Sequence, residues 1–144
     1  MYDKHFEHFQ IGNKWRSRGR TITESDLVMF SAFSGDWYPL HTDKEYAEKH
    51  TSFKQRIAHG MLVLSVAIGL QKMEPGIVVA FYGIDDLRFI KPTFIQDTIY
   101  VELEVTDLQD KDNNTGIVTT NLTVVNQNND SLLVSTCKIL VNKK

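Results

Sequence analysis

The sequence predicts an α+β fold: an antiparallel β-sheet wrapped around a central buried α-helix, in a single domain over residues 1–144. Three observations carry this. Helical patterns come first and strand patterns follow, the order that places helices on one face of an antiparallel sheet. Met61 to Leu70 is almost wholly apolar, which reads as a helix buried on every side. Ile99, Val101, Leu103 and Val105 alternate with Tyr100, Glu102, Glu104 and Thr106, the period of a half-buried strand.

The elements follow in chain order. Residues 1–20 read as a solvated arm, then an extended piece from Trp15 to Arg20. Thr23-Glu24-Ser25-Asp26 starts a helix, because Thr23 can cap it and acids suit its first turn. Leu27, Phe30 and Phe33, with Val28 and Ala32, form its apolar face, and Ser34-Gly35-Asp36 ends it. Thr42-x-x-Glu45 is a capping box for a short helix from Asp43 to Lys49, which puts His41 one residue before the cap. Gln55 to Met73 contains the third and longest helix, stopped by Glu74-Pro75-Gly76. Ile77–Phe81 and Leu87–Ile90 are short strand runs. Three longer strands follow, separated by turns at 112–116 and 126–130, as in an antiparallel meander.

Composition narrows the functional classes. With 144 residues, 42% hydrophobic and 24% charged, the chain is long enough for a real core. A net charge of −2 gives no electrostatic footprint for nucleic acid. The N-terminus lacks the apolar stretch of a signal peptide, and no apolar run is long enough to span a bilayer, so a cytoplasmic protein is expected. The lone Cys137 forms no disulfide within the chain and shares strand parity with Ile139 and Val141, the place of an inert core thiol. His5 and His8 fit the solvated arm better than a metal site.

The chemistry concentrates in two segments. Gly35-Asp36-Trp37-Tyr38-Pro39-Leu40-His41 puts a carboxylate and an imidazole on a turn, and His59-Gly60-Met61 lies where the apolar helix starts. Hydration of an activated double bond needs a base to take a proton from water and a proton source for the α-carbon, which one carboxyl and one imidazole can supply. The developing enolate needs hydrogen-bond donors, and the free N–H groups of a helix N-terminus, with Gly60 allowing close approach, are suited to it. On chemistry alone, Asp36 also fits a turn cap and His41 a structural histidine. Asp36, His41, Asp43 and His59 match no zinc spacing, so no metal and no other cofactor is expected.

Ser34-Gly35-Asp36-Trp37-Tyr38-Pro39-Leu40-His41-Thr42-Asp43 resembles the hydratase motif of the MaoC-like family, usually G-D-x-N-P-L-H. That group includes (R)-specific enoyl-CoA hydratases and acyl-thioester dehydratases. Arg20–Asp26, Arg56–Leu62 and Leu87–Thr93 with Asp97 resemble further family segments, in the same order. The resemblance implies a hot-dog fold, with two protomers pairing into a larger sheet as a homodimer, and dimers free to assemble further. It implies that Asp36 and His41 activate water and exchange the α-proton, while the Gly60 N–H holds the thioester oxygen. An acyl-CoA or acyl-carrier thioester would lie in a groove at the subunit interface. Tyr38, Pro39, His59 and Ser65 are the nearby substrate-binding candidates, and Arg88 and Lys91, with Arg56, are candidates for nucleotide phosphates. Tyr38 stands where the family has asparagine, and the expectation is that its ring narrows the acyl pocket. Ser65 is the only serine on the central helix; it either supports the active-site histidine or bonds the preceding turn's carbonyl.

These readings imply a hydro-lyase interconverting 2-enoyl and 3-hydroxyacyl thioesters. The alternatives are a catalytically silent acyl-thioester binding module, for which Tyr38 is the main evidence, and a thioesterase, against which the Asp36/His41 spacing argues.

Overall fold

A computed structural model describes residues 1–144. Its sheet runs β1 (Lys14–Arg16), β4 (Thr98–Asp110), β5 (Thr115–Val125), β6 (Ser131–Asn142), β3 (Val78–Phe89), with β2 (Arg20–Thr21) pairing beside β1 along β4. Every pairing between strands is antiparallel. The helices α1 (Glu24–Ser34), α2 (Pro39–Thr42) and α3 (Lys44–His50) lead to α4 (Gly60–Leu70). Leu62, Val63, Leu64 and Ala67 of α4 share one core with Ile99, Val101, Leu103 and Val105 of β4 and with Cys137, Ile139 and Val141 of β6. The alternation in β4 therefore appears as expected, with its apolar residues turned onto the helix. Cys137 is fully buried, and burial pushes its thiol up to about 11.

Several local expectations are corrected. The N-terminal arm is solvated only in part: Asp3, Glu7, His8 and Gln10 are exposed, but Tyr2 is fully buried, its hydroxyl lies 3.1 Å from Thr120 Oγ1, and Met1 and Phe9 join the core. The Trp15–Arg20 piece divides into two short strands. On α1 the buried pair is Leu27 and Ser31, one helical turn apart, whereas Phe33 is 91% exposed. Six residues from Leu27 is well off a whole number of turns, which carries Phe33 round to another face. The short helix before α4 is capped by Asp43, which accepts from the Tyr46 N–H at 3.0 Å, and not by Thr42. The Thr42 hydroxyl is committed to the Trp37 and Tyr38 carbonyls. His41 consequently sits inside the one-turn helix α2, which Pro39 opens.

The central helix is shorter than Gln55–Met73 allowed and equals α1 in length, at 11 residues. Residues ahead of it stay extended, because Ile57 bridges Phe94 and the Ala58 N–H bonds the Thr93 carbonyl at 2.8 Å. Within one chain it is not buried all round: Met61, Ser65 and Gly69, spaced at i, i+4, i+8, form an exposed stripe. The two short runs around Gly83 are one strand, β3, whose three register shifts absorb the irregular sequence between them.

Candidate active site

Gly35 makes the turn that presents the acid. It ends α1 in the left-handed conformation (φ 79°), which glycine adopts without steric cost. Asp36 follows on the exposed turn, and its Oδ1 accepts from the Tyr38 N–H at 3.2 Å, fixing the carboxylate locally. Five residues on, α2 turns His41 back toward it. The chain ahead of α4 then brings in His59, and one functional atom from each of Asp36, His41 and His59 lies within 4.8 Å of the others.

Hydrogen bonds decide the tautomers. His41 Nδ1 is 2.8 Å from the Ile57 carbonyl. A carbonyl only accepts, so Nδ1 carries a proton, and in the neutral ring Nε2 is the nitrogen with the lone pair. His59 Nε2 lies 3.1 Å from the Asp36 carbonyl and 3.1 Å from Ser31 Oγ, so Nε2 is its protonated nitrogen. Its Nδ1 is buried without a partner. Burial, ahead of all other influences, lowers the His59 pKa, which keeps its ring neutral. The two imidazoles stack at 4.0 Å and 28°, and Phe30 packs on His59 at 4.9 Å.

Those hydrogen bonds also bear on metal binding. Asp36, His41 and His59 have the ligand types of a two-histidine, one-carboxylate site. His59, however, offers no free nitrogen: Nε2–H is spent on the Asp36 carbonyl and Ser31, and Nδ1 is buried. Asp43 is absent from the cluster because it caps α3.

Asp36, His41 and His59 line a cavity of about 390 Å³ together with Gly60, Met61, Phe89, Lys91 and Leu133, among others. Most of the wall is apolar, and Asp36, His41 and His59 form one polar cluster on it. Gly60 opens α4, His59 gives the helix no side-chain cap, and the Gly60 N–H has no acceptor in the protein. A Cβ on Gly60 would stand 2.5 Å from the Phe89 ring, so the glycine is needed for that ring to pack there.

Of the remaining site candidates, only Lys91 lines the cavity. Tyr38 turns away: its hydroxyl lies 3.4 Å from that of Tyr46, its ring meets His41 edge-on at 6.2 Å, and it does not narrow the pocket. Pro39 serves as the first residue of α2. Ser65 is exposed and donates to the Met61 carbonyl at 2.7 Å, the second of its two expected roles. The serine that does meet a histidine is Ser31, from α1 and not from the central helix. Its signal in the sequence is a hydroxyl one turn after Leu27, on the face that packs inward. Arg88 is exposed and donates to the neighbouring Leu87 carbonyl at 2.8 Å. Arg56 forms a bidentate pair with Glu24 at 2.7 Å. Lys91 alone of the three cations lines the cavity, where it pairs with Asp130 at 2.6 Å.

Comparison with known proteins identifies the family. Residues 8–127 match the model of the MaoC like domain, a dehydratase family. Protein MaoC of Klebsiella aerogenes is 40% identical over 104 residues, 71% of this chain; the match spans only 30% of that longer protein. The (R)-specific enoyl-CoA hydratase of Rhodospirillum rubrum is 38% identical over 107 residues, covering 72% of this chain and 71% of the enzyme. Among solved structures, an Archaeoglobus monoamine oxidase regulatory protein superposes with a TM-score of 0.91 at 42% identity, over 98% of this chain and 95% of that one. A Mycobacterium tuberculosis protein with a double hot-dog fold gives 0.87 at 21% identity, over 99% of this chain and 45% of its own, a likeness of fold alone.

Proposed function

The chain belongs to the MaoC-like dehydratase family, and from that premise we propose that it is a hydro-lyase for acyl thioesters, adding water to 2-enoyl and removing it from 3-hydroxyacyl substrates. The observation that supports this best is the meeting of the Asp36 carboxylate with a His41 ring whose Nδ1 is spent on Ile57, leaving Nε2 as a base at the cavity.

In the hydration direction a water sits between Asp36 and His41 Nε2. One of the pair removes its proton as the oxygen bonds C3. The electron pair of the double bond moves onto the thioester carbonyl, giving an enolate, which the Gly60 N–H and the positive end of α4 stabilise. A proton then returns to C2 from the same pair, so both new bonds form on one face. Lys91, at the cavity wall, is the cation placed to meet an anionic part of the carrier. No metal or redox cofactor enters these steps.

A homodimer completes the reading. β3 ends the sheet and has an open edge, and Val79, Phe81, Tyr82, Phe89 and Ile90 are exposed on and just after it. An edge and an apolar surface of this kind suit pairing with a second copy through β3. The substrate's pantetheine arm would then run in the groove between protomers.

Crotonyl-CoA tests the reading. Hydration removes the absorbance of the conjugated double bond, and Asp36→Asn or His41→Ala should each cost about 10²–10⁴-fold in rate while circular dichroism stays unchanged. Thiol release would instead identify a thioesterase. Binding of CoA with neither signal would identify a silent binding module, and full activity in both variants would remove the site assignment.

A further inference from the structure

Resting on the hydratase reading, we infer that His59 is a positioning residue: held by Ser31, it fixes the Asp36 turn and the plane of the His41 ring together. His59 lines the cavity, yet neither ring nitrogen is open to a ligand. Nε2–H is shared between the Asp36 carbonyl and Ser31 Oγ, each at 3.1 Å, and Nδ1 has no exposed surface and no partner. This argues against the substrate-binding role expected from the sequence.

The arrangement links three parts of the site. The bond to the Asp36 carbonyl pins the backbone of the residue that bears the acid. This matters because Asp36 lies on an exposed turn, where only the Ser34 hydroxyl and the Tyr38 N–H otherwise hold it. The stacked face, 4.0 Å from His41, limits rotation of the base ring, whose other anchor is Ile57. Peptide linkage to Gly60 ties the same residue to the oxyanion donor at the start of α4. Ser31 is fully buried on α1 and sets the imidazole from behind. The unpaired Nδ1 supports this role. If only volume were needed, a leucine or phenylalanine would fill the space without burying an unsatisfied nitrogen, so the donor at Nε2 is what requires an imidazole.

Two substitutions at His59 separate the possibilities. His59→Gln presents an amide N–H near the position of Nε2–H without a titrating ring, and His59→Leu presents none. With crotonyl-CoA, His59→Leu should lower kcat about a hundredfold with KM within about threefold, and His59→Gln should recover about tenfold of that loss. Equal activities for the two variants, or a rise in KM at unchanged kcat, would overturn the inference. Ser31→Ala should lower kcat in the same direction by a smaller factor, and it carries the test if His59→Leu does not fold. A second arm needs no substrate. Imidazole ¹⁵N spectra should show His59 as the Nε2–H tautomer and His41 as the Nδ1–H tautomer, and the Asp36 ¹³C carbonyl shift should move in His59→Leu and return in His59→Gln. If the wild type hydrates nothing, the hydratase reading fails, and this spectroscopic arm still decides whether His59 holds the turn.

Discussion

Replacing Asp26 by asparagine removes a charge on which the start of α1 depends. Arg20 grips both carboxylate oxygens, at 2.8 and 2.7 Å, and Thr23 adds its N–H at 2.7 Å and its hydroxyl at 3.0 Å. The Arg20 hydrogen bonds above all, with those from Thr23, hold the carboxyl at about 2, against the ordinary 3.8. At roughly 1.4 kcal/mol per pKa unit, that depression corresponds to about 2 kcal/mol of stability. Arg20 leaves 40% of its side chain in water, and solvent screening brings the expected contribution to about 1–2 kcal/mol. Because the folded pKa is the depressed one, this stabilisation is complete above the unfolded value of 3.8 and is lost as pH falls through about 2. Urea unfolding should therefore show Asp26→Asn less stable than the wild type by that amount at pH 7. The gap should narrow below pH 4 and close near pH 2. A gap that stays constant across this range would refute the assignment of the stabilisation to charge.

Three further outcomes follow from the site and the core. Gly60→Ala keeps the N–H but drives a methyl into the Phe89 ring, 2.5 Å away; kcat/KM for crotonyl-CoA should fall at least about tenfold at unchanged circular dichroism, and wild-type kinetics would mean that Phe89 makes room freely. Because the Tyr38 side chain faces Tyr46 and away from the cavity, Tyr38→Asn should leave the preference for acyl chain length unchanged in a series of enoyl-CoA substrates, and a shifted preference would restore Tyr38 to the pocket wall. Leu122 is fully buried in β5; Leu122→Ala should cost about 2–5 kcal/mol by urea unfolding, and a loss below 1 kcal/mol would show that the sheet collapses around the gap.

The antiparallel meander was legible because alternation in β4 runs from Ile99 to Val105, and polar turns separate β4, β5 and β6. The start of α1 was legible because Thr23 and Asp26 are close in sequence and close their capping box locally. Less legible were features set by distant partners. The central helix starts at Gly60 because Thr93 and Phe94, more than thirty residues later, keep the preceding segment extended. The two runs either side of Gly83 join because β6 pairs along their whole length. The arm contributes Met1, Tyr2 and Phe9 to the core, with Tyr2 reaching Thr120 on β5.

By itself the sequence determined that Asp36 and His41 share one short segment beginning at the Gly35 turn and that His59-Gly60 precedes the apolar helix, since these are neighbours along the chain. Only the tertiary structure decided how these groups relate. Which nitrogen of His41 is free depends on the Ile57 carbonyl, and the direction of Tyr38 depends on Tyr46. The identity of the serine that meets His59 depends on how α1 lies against the entry to α4. Hydrogen-bond direction and burial are properties of neighbours in space, and no local motif encodes them.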